Sequence, residues 1–221
     1  MRTSLIALAV LCSCTINAQA PIPVDQEPRH RVVFTDSALR VIDVNLPPGD
    51  TSLEHSHSLD IATVCIESSR TRTRVPGEDW GEARPRAVGA PNVTDYAGKA
   101  GAHTLQNLGT GPYRLIAVEN RRTSGWSEGP PLTAPATTLA RESRAFRVYD
   151  VALAPGAAPA THVHAAPTIA ILIEGSVTAS SGESATRLRA PGEWLQVPAG
   201  QPHTIGAAGS AGVRVTEIEL R

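Results

Sequence analysis

The chain has 221 residues, and its 20 Lys and Arg against 21 Asp and Glu give a formal net charge of −1 at pH 7. This balance argues against a nucleic acid held through phosphate contacts, and beyond the N-terminal segment no stretch approaches membrane-spanning length. We therefore expect a small-molecule ligand or substrate, no nucleic acid, and no membrane contact apart from a leader. The 18 Gly and 18 Pro punctuate short Val, Ile and Leu runs, a pattern typical of all-β barrels.

The first 20 residues are interpreted as a secretory signal peptide. An apolar run over residues 5–11 precedes Ala18-Gln19-Ala20, which has the small-residue pattern of a cleavage site. A periplasmic or secreted protein is therefore expected, and the alternative is a lipoprotein anchored at Cys14. Removal of the segment leaves Cys65 as a lone cysteine in an apolar strand, so we expect no disulfide and an inert thiol.

The rest of the chain divides into four predicted parts. Residues 21–31 are polar and contain proline, and we expect them to form an extended arm. A first barrel is predicted over 32–122 and a second over 143–221, because the chain between them, 123–142, is rich in Pro, Thr, Ala and Gly and resembles a linker.

An internal repeat supports the two-barrel division. Residues 40–49, RVIDVNLPPG, match residues 147–156, RVYDVALAPG, at an offset of 107, and the offset falls to 100 further on. Six of the seven histidines follow these offsets. Each set has two histidines one residue apart, which places both on one face of a strand, and a third that follows later. The two sets are His55, His57 and His103, and His162, His164 and His203.

These motifs resemble those of the cupin superfamily. Gly156, His162, His164 and Gly175 fit its first motif, and Gly192, Pro198, Gly200 and His203 fit its second. The first copy keeps Gly49 and its three histidines. The family's glutamate is replaced by Thr168 in the second copy and by Ile61 in the first. The resemblance implies a bicupin, that is, an all-β chain of two tandem double-stranded β-helix barrels of jelly-roll type.

The resemblance also implies that each histidine set binds a divalent transition metal, with Fe, Mn, Ni, Cu and Zn not distinguished. Three neutral imidazoles leave the charge of such an ion uncompensated, so we expect weaker metal binding and stronger attraction for anions. Thr168 is a candidate hydrogen-bond partner for a ligand on the metal of barrel two. Barrel two is expected to have the more complete site.

Residues 70–74, RTRTR, carry a second candidate feature. Strict alternation places the arginines on one strand face and the threonines on the other. In one interpretation Arg70 and Arg72 point inward and bind a substrate anion; in the other they lie on a solvated face and the threonines point inward. Trp80 and Tyr96, in and after the following loop, either close over a ligand or anchor the loop.

Two functions remain open at this point. A three-histidine site resembles the iron centres of thiol dioxygenases, which favours an exported metalloenzyme of dioxygenase type, or a cupin isomerase or lyase, that acts on a small organic anion. The loss of the glutamate in both copies favours instead a non-catalytic cupin that binds a metal or small ligand. The resemblance also makes a homodimer plausible.

Overall fold

The computed structural model describes residues 20–123, 128–182 and 184–221. The predicted signal peptide, apart from Ala20, and Cys14 lie outside the described residues. Over these ranges the fold is nearly all β, as expected, and the one helix is a short 3₁₀ turn, Val24–Gln26. No helix in the same ranges is long and apolar enough to cross a membrane.

The strands of the described ranges are β1 (Ile22–Pro23), β2 (His30–Thr35), β3 (Leu39–Leu46), β4 (His55–His57), β5 (Ile61–Glu67), β6 (Arg70–Arg74), β7 (Arg84–Pro85), β8 (Pro91–Thr94), β9 (Gly101–Asn107), β10 (Tyr113–Asn120), β11 (Thr137–Glu142), β12 (Phe146–Leu153), β13 (Ala160–Val163), β14 (Thr168–Glu174), β15 (Val177–Ser181), β16 (Ser184–Leu188), β17 (Trp194–Val197), β18 (Pro202–Ala207) and β19 (Val213–Leu220).

The strands form two β-sandwich units of the same topology. Unit one, β1–β10, has sheets ordered β1-β4-β9-β6-β7 and β2-β3-β10-β5-β8, and unit two, β11–β19, has sheets ordered β13-β18-β15-β16 and β11-β12-β19-β14-β17. Each strand from β2 to β10 therefore has a counterpart in unit two. The extra strand β1 pairs in parallel with β4 at the edge of unit one.

The two units pack back to back through the sheets that contain β3 and β12. In β5, for example, Ala62, Val64 and Ile66 face the other unit, whereas Ile61 and Cys65 face the interior of unit one. The inter-unit core is therefore one continuous apolar layer. Its fully or almost fully buried members among the described residues are Leu39, Val41, Ala62, Val64, Ile66, Ile116 and Val118 of unit one and Ala145, Phe146, Val148, Ala166, Ile169, Ile171, Ile173, Ile218 and Leu220 of unit two.

Two predicted boundaries need correction. The expected arm over 21–31 is packed structure, because β1, the 3₁₀ turn and the start of β2 lie within it and both Glu27 and His30 are buried. The expected linker over 123–142 contains β11, which pairs with β12 as an edge strand. Four of the six side chains of β11 are exposed and none is buried, and its sequence lacks the apolar alternation that identifies a buried strand.

Candidate metal centres and ligand cavity

Three histidines and one glutamate converge inside unit two. Strands β13 and β18 pair so that His162 lies directly opposite His203, and His164 follows the end of β13 on the same face. The Glu217 carboxylate, on β19, lies 2.8 Å from His162 Nε2, 3.1 Å from His164 Nε2 and 2.7 Å from His203 Nε2. All four side chains are buried. The cluster therefore offers three imidazole nitrogens and one carboxylate within reach of a single ion.

The charges of this cluster are mutually stabilised. Burial opposes ionisation of Glu217, but hydrogen bonds from the three histidines hold the pKa of its carboxyl well below the usual range. Burial likewise opposes protonation of His164, but Glu217 and Glu219 raise its pKa to about 9. Glu219 accepts hydrogen bonds from the Tyr149 hydroxyl at 3.2 Å and from the Ala165 amide at 2.9 Å. It therefore fixes the backbone immediately after His164.

Glu217 corrects the expectation that the second triad lacks a carboxylate. Thr168 occupies the position where the motif has glutamate and donates to the Ala166 carbonyl at 3.1 Å, while the carboxylate comes from the last strand instead. Strand alternation could have revealed Glu217, because Val213 and Val215 face inward and alternation places residue 217 on the same face. Motif matching missed it because no motif extends to β19.

The remaining interior of unit two is filled by apolar side chains. Val151, Leu172, Val177 and Ile205 are each fully buried there, and Leu195 packs against them. Trp194 points the other way and meets Phe34 of unit one edge-on, with ring centroids 5.7 Å apart. The cluster of unit two therefore lies beside a packed core.

The triad of unit one, His55, His57 and His103, has no such carboxylate among the described residues. His55 on β4 lies directly opposite His103 on β9, and His57 follows on the same face. Ring centroids are 4.5 Å apart for His55 and His103 and 4.9 Å apart for His57 and His103. At the offset of 100 the counterpart of Glu217 is Ala117. The triad therefore leaves coordination positions of a bound ion open to other ligands.

The triad has buried ring nitrogen atoms without hydrogen-bond partners, which are available to bind a metal ion. His55 Nδ1 donates to the Leu53 carbonyl at 2.9 Å, which leaves the lone pair on Nε2. No described residue hydrogen-bonds to His55 Nε2 or to either ring nitrogen of His57, although all three atoms are buried. Burial, followed by neighbouring imidazoles, lowers the pKa of His55 to about 4, of His57 to about 2 and of His103 to about 3. Neutral, unpartnered imidazoles at these positions fit a divalent transition ion.

A cavity of about 210 Å³ adjoins the triad of unit one. His57, His103 and Ala117 line it, together with apolar residues of the unit-one interior. Tyr96 also lines the cavity, and its ring stacks on His57 with centroids 4.8 Å apart and planes inclined by 11°. Gly101 makes this stacking possible, because a Cβ at that position would lie 2.7 Å from Tyr96 Cε1. Of the two aromatic candidates, Tyr96 therefore belongs to the site.

The charged residue in the cavity wall is Arg86. Its guanidinium donates to the Thr63 hydroxyl at 2.9 Å, to the Thr63 carbonyl at 2.7 Å and to the Ala90 carbonyl at 2.6 Å. These contacts hold the cation in place without neutralising it. No Asp or Glu lines this cavity in the part of the chain that the structure describes. The cavity therefore combines an apolar body with one guanidinium group in its wall.

The arginines of β6 that are candidates for substrate binding, Arg70 and Arg72, do not line this cavity. Thr71 is buried and Thr73 lines the cavity, whereas Arg70 is exposed. The Arg72 guanidinium lies over Trp80 on the outer face, 4.6 Å from the ring centroid. The face assignment of β6 depends on register, which alternation alone does not determine.

Comparisons with known proteins agree with this architecture. Residues 149–219 match the family model described as "Cupin domain". No curated protein matches the chain. Salicylate 1,2-dioxygenase from Pseudaminobacter salicylatoxidans has a similar structure, with a TM-score of 0.63 and 15% identity over 89% of this chain and 77% of that one.

Two further solved structures are similar at comparable levels. AerE from Microcystis aeruginosa has a TM-score of 0.59 and 12% identity, covering 88% of this chain and 98% of its own. A Cupin 2 conserved barrel domain protein from Leptotrichia buccalis has a TM-score of 0.54 and 9% identity, covering 86% of this chain and 87% of its own. Similarity at such identities concerns the fold alone. Residues 149–219 thus form a cupin domain, within an all-β protein made of two cupin-like β-sandwich units.

Proposed function

We propose that this protein is a metal-dependent enzyme of dioxygenase type that acts on a small organic anion, and that the reaction takes place in unit one. The observation that carries the proposal is the cavity of about 210 Å³ beside the carboxylate-free triad. Catalytic metal sites keep a coordination position open for a substrate, whereas structural sites use protein ligands throughout.

The two units would have different roles. His55, His57 and His103 would hold the catalytic ion, which supplies Lewis acidity and, for a redox-active metal, reactivity toward dioxygen. In unit two, His162, His164, His203 and Glu217 would hold a second ion that supports the fold, because packed apolar side chains occupy the rest of that interior. Iron, manganese, nickel, copper and zinc all accept imidazole ligands.

The preference for an anion follows from the charges around the cavity. Three neutral imidazoles leave the ion with its full positive charge, and Arg86 adds a second cation to the wall. Apolar side chains and Tyr96 provide a surface for a hydrophobic or aromatic body. The similarity to salicylate 1,2-dioxygenase supports this choice, and structures of that dioxygenase with gentisate adducts are also similar to this chain.

Oxygen consumption by the iron-loaded protein tests the proposal. Salicylate, gentisate and other small hydroxylated or aliphatic carboxylates are offered in turn, and product formation is followed by chromatography. We expect turnover of at least one of them, abolished in His57→Ala together with loss of one metal equivalent. Arg70→Gln, on the exposed face of β6, is the matched control and should keep full activity. Metal binding without turnover of any compound would support a non-catalytic binding protein instead.

We also propose that the protein is exported after removal of the first 20 residues, on the strength of their apolar run and small-residue cleavage pattern. N-terminal sequencing of the protein recovered from the periplasm or medium tests this. A mature chain that begins at Pro21 supports export, whereas a lipid-modified Cys14 identifies a lipoprotein.

A further inference from the structure

The seventh histidine lies against the unit-one site. His30, at the start of β2, lines the same cavity as His57 and His103, and its ring centroid is 4.4 Å from that of His55. Its Nδ1 hydrogen-bonds to the buried Glu27 carboxylate at 2.5 Å. The nitrogen ligands of the triad lie within 4.8 Å of one another, and His30 is not part of that group. It is therefore a neighbour of the metal ligands and not one of them.

Glu27 connects His30 to the triad through the backbone. One of its oxygens accepts from His30 Nδ1 and from the Arg29 amide at 2.6 Å, and the other accepts from the Leu53 amide at 3.1 Å. The Leu53 carbonyl in turn accepts from His55 Nδ1. One buried carboxylate thus orients both His30 and the peptide that determines the tautomer of His55.

Unit two lacks this pair. At the offset of 107, Glu27 corresponds to Ala134 and His30 corresponds to Thr137. The unit with the packed interior therefore has neither group, and the unit with the cavity has both. Buried polar side chains are costly unless they are partnered, so a buried pair present only beside the cavity indicates a role toward what occupies the cavity.

We propose that His30 contacts the organic ligand of unit one and recognises a hydroxyl group on it. Nδ1 of His30 is held by Glu27, so Nε2 is the remaining polar atom of the ring and hydrogen-bonds to a hydroxyl group, which can both donate and accept. The inference rests on the proposed function and narrows its substrate class to a hydroxylated organic acid, whose anionic group lies toward the metal and whose hydroxyl group lies toward His30. Glu27 is the positioning residue of the pair.

Paired probes isolate the contribution of the hydroxyl. Salicylate and benzoate differ by one hydroxyl group, and calorimetric titration of the zinc-loaded protein measures the dissociation constant of each without turnover. We expect wild type to bind salicylate about tenfold more tightly, as for one hydrogen bond in a buried site. In His30→Gln the ratio of the two constants should fall to about one, while both metal equivalents remain bound.

Two further variants provide a second test and a control. Glu27→Gln leaves the His30 ring in place but removes the anionic acceptor, so the ratio should fall partway, even if His30→Gln does not fold. Arg31→Gln is the control, because Arg31 is the next residue on β2 and its side chain is 73% exposed. A salicylate preference that persists in both His30→Gln and Glu27→Gln overturns the inference and leaves the proposed function intact. Loss of a metal equivalent in His30→Gln also overturns it, since His30 would then be a metal ligand. If the wild-type protein binds neither salicylate nor benzoate, both this inference and the proposed function are refuted.

Discussion

A single inward-facing position distinguishes the two histidine sites. Residue 217 is a glutamate that contacts all three histidines of unit two, and its counterpart, residue 117, is an alanine in the cavity wall of unit one. The glutamate adds a carboxylate beside the three imidazoles and fills space, whereas the alanine does neither. The difference in donor groups therefore originates at this position, which also contributes to the difference in cavity alongside the apolar side chains packed in unit two.

Glu217→Gln should weaken metal binding in unit two by at least about tenfold, because the change removes the anionic ligand and leaves three neutral imidazoles. Competition with a chelator of known affinity measures the effect. Glu174→Gln, at the exposed end of β14, removes the same charge outside the cluster and serves as the control. Equal affinity in Glu217→Gln and wild type would show that Glu217 is not a ligand.

Ala117→Glu should have the opposite effect in unit one. The new carboxylate would occupy the cavity and offset the charge of the ion, so metal binding should strengthen while salicylate binding to the zinc-loaded protein falls at least about tenfold. Ala87→Glu adds the same charge at an exposed position and should leave the affinities for the metal ion and for salicylate unchanged. Retention of salicylate affinity in Ala117→Glu would place the ligand elsewhere.

The sequence predicts those site residues that lie close together in the chain or that follow the internal repeat. All six histidines of the two predicted sets lie in the two clusters. Glu27 and His30 could not be predicted, because their role arises from contact with Leu53 and His55, more than twenty residues away. Nothing in their local pattern separates them from a solvated segment.

Among the elements, strand β9 determines where the Tyr96 ring lies. Gly101 begins β9 opposite His57, and the absence of its Cβ makes room for Tyr96 on that histidine. The strand therefore contributes the His103 side chain to the triad. Its Gly101, which has no side chain, leaves the space that the Tyr96 ring occupies. Apolar periodicity predicts neither contribution.

Gly101→Ala should affect the site more than the fold. The added Cβ displaces the Tyr96 ring, whereas alanine is otherwise compatible with a strand, so the melting temperature should change by no more than about 4 °C. Salicylate affinity of the zinc-loaded protein should fall severalfold. Gly98→Ala is the control, because no atom lies within 4 Å of a Cβ at that position. Equal affinities in the two variants would show that Tyr96 stacking is irrelevant to binding.

The elements that sequence patterns describe least well lie at sheet edges. Strands β5 and β14 are nearly continuous apolar runs because both of their faces are covered. Strand β11 is covered on one side only, and β1 consists of two residues. Edge strands obtain their hydrogen bonds from a neighbour and need no apolar pattern of their own.

At the scale of the whole molecule, the inter-unit core determines how the units behave together. Each unit contributes one apolar sheet face to this layer, and Asp60 of unit one also pairs with Arg144 of unit two at 2.8 Å. A separated unit would expose that face to water. The two units should therefore depend on each other for stability, although each has its own interior cluster.

Chemical denaturation should accordingly give one cooperative transition. Ile171→Ala, in the middle of the inter-unit layer, should lower the free energy of unfolding by about 2–5 kcal/mol and destabilise both units together. Hydrogen exchange, read separately in β6 of unit one and β15 of unit two, measures this. Leu53→Ala, at a half-exposed side chain, is the control. Loss of protection in unit two alone would show that the units unfold independently.

The pairing of Ala117 with Glu217 also bears on how a duplicated gene diversifies. Each glutamate codon differs from an alanine codon by a single base, so one point mutation is enough to withdraw the carboxylate. A lineage that carries such a tandem gene is able to change the donor set of one half while the other half keeps its own.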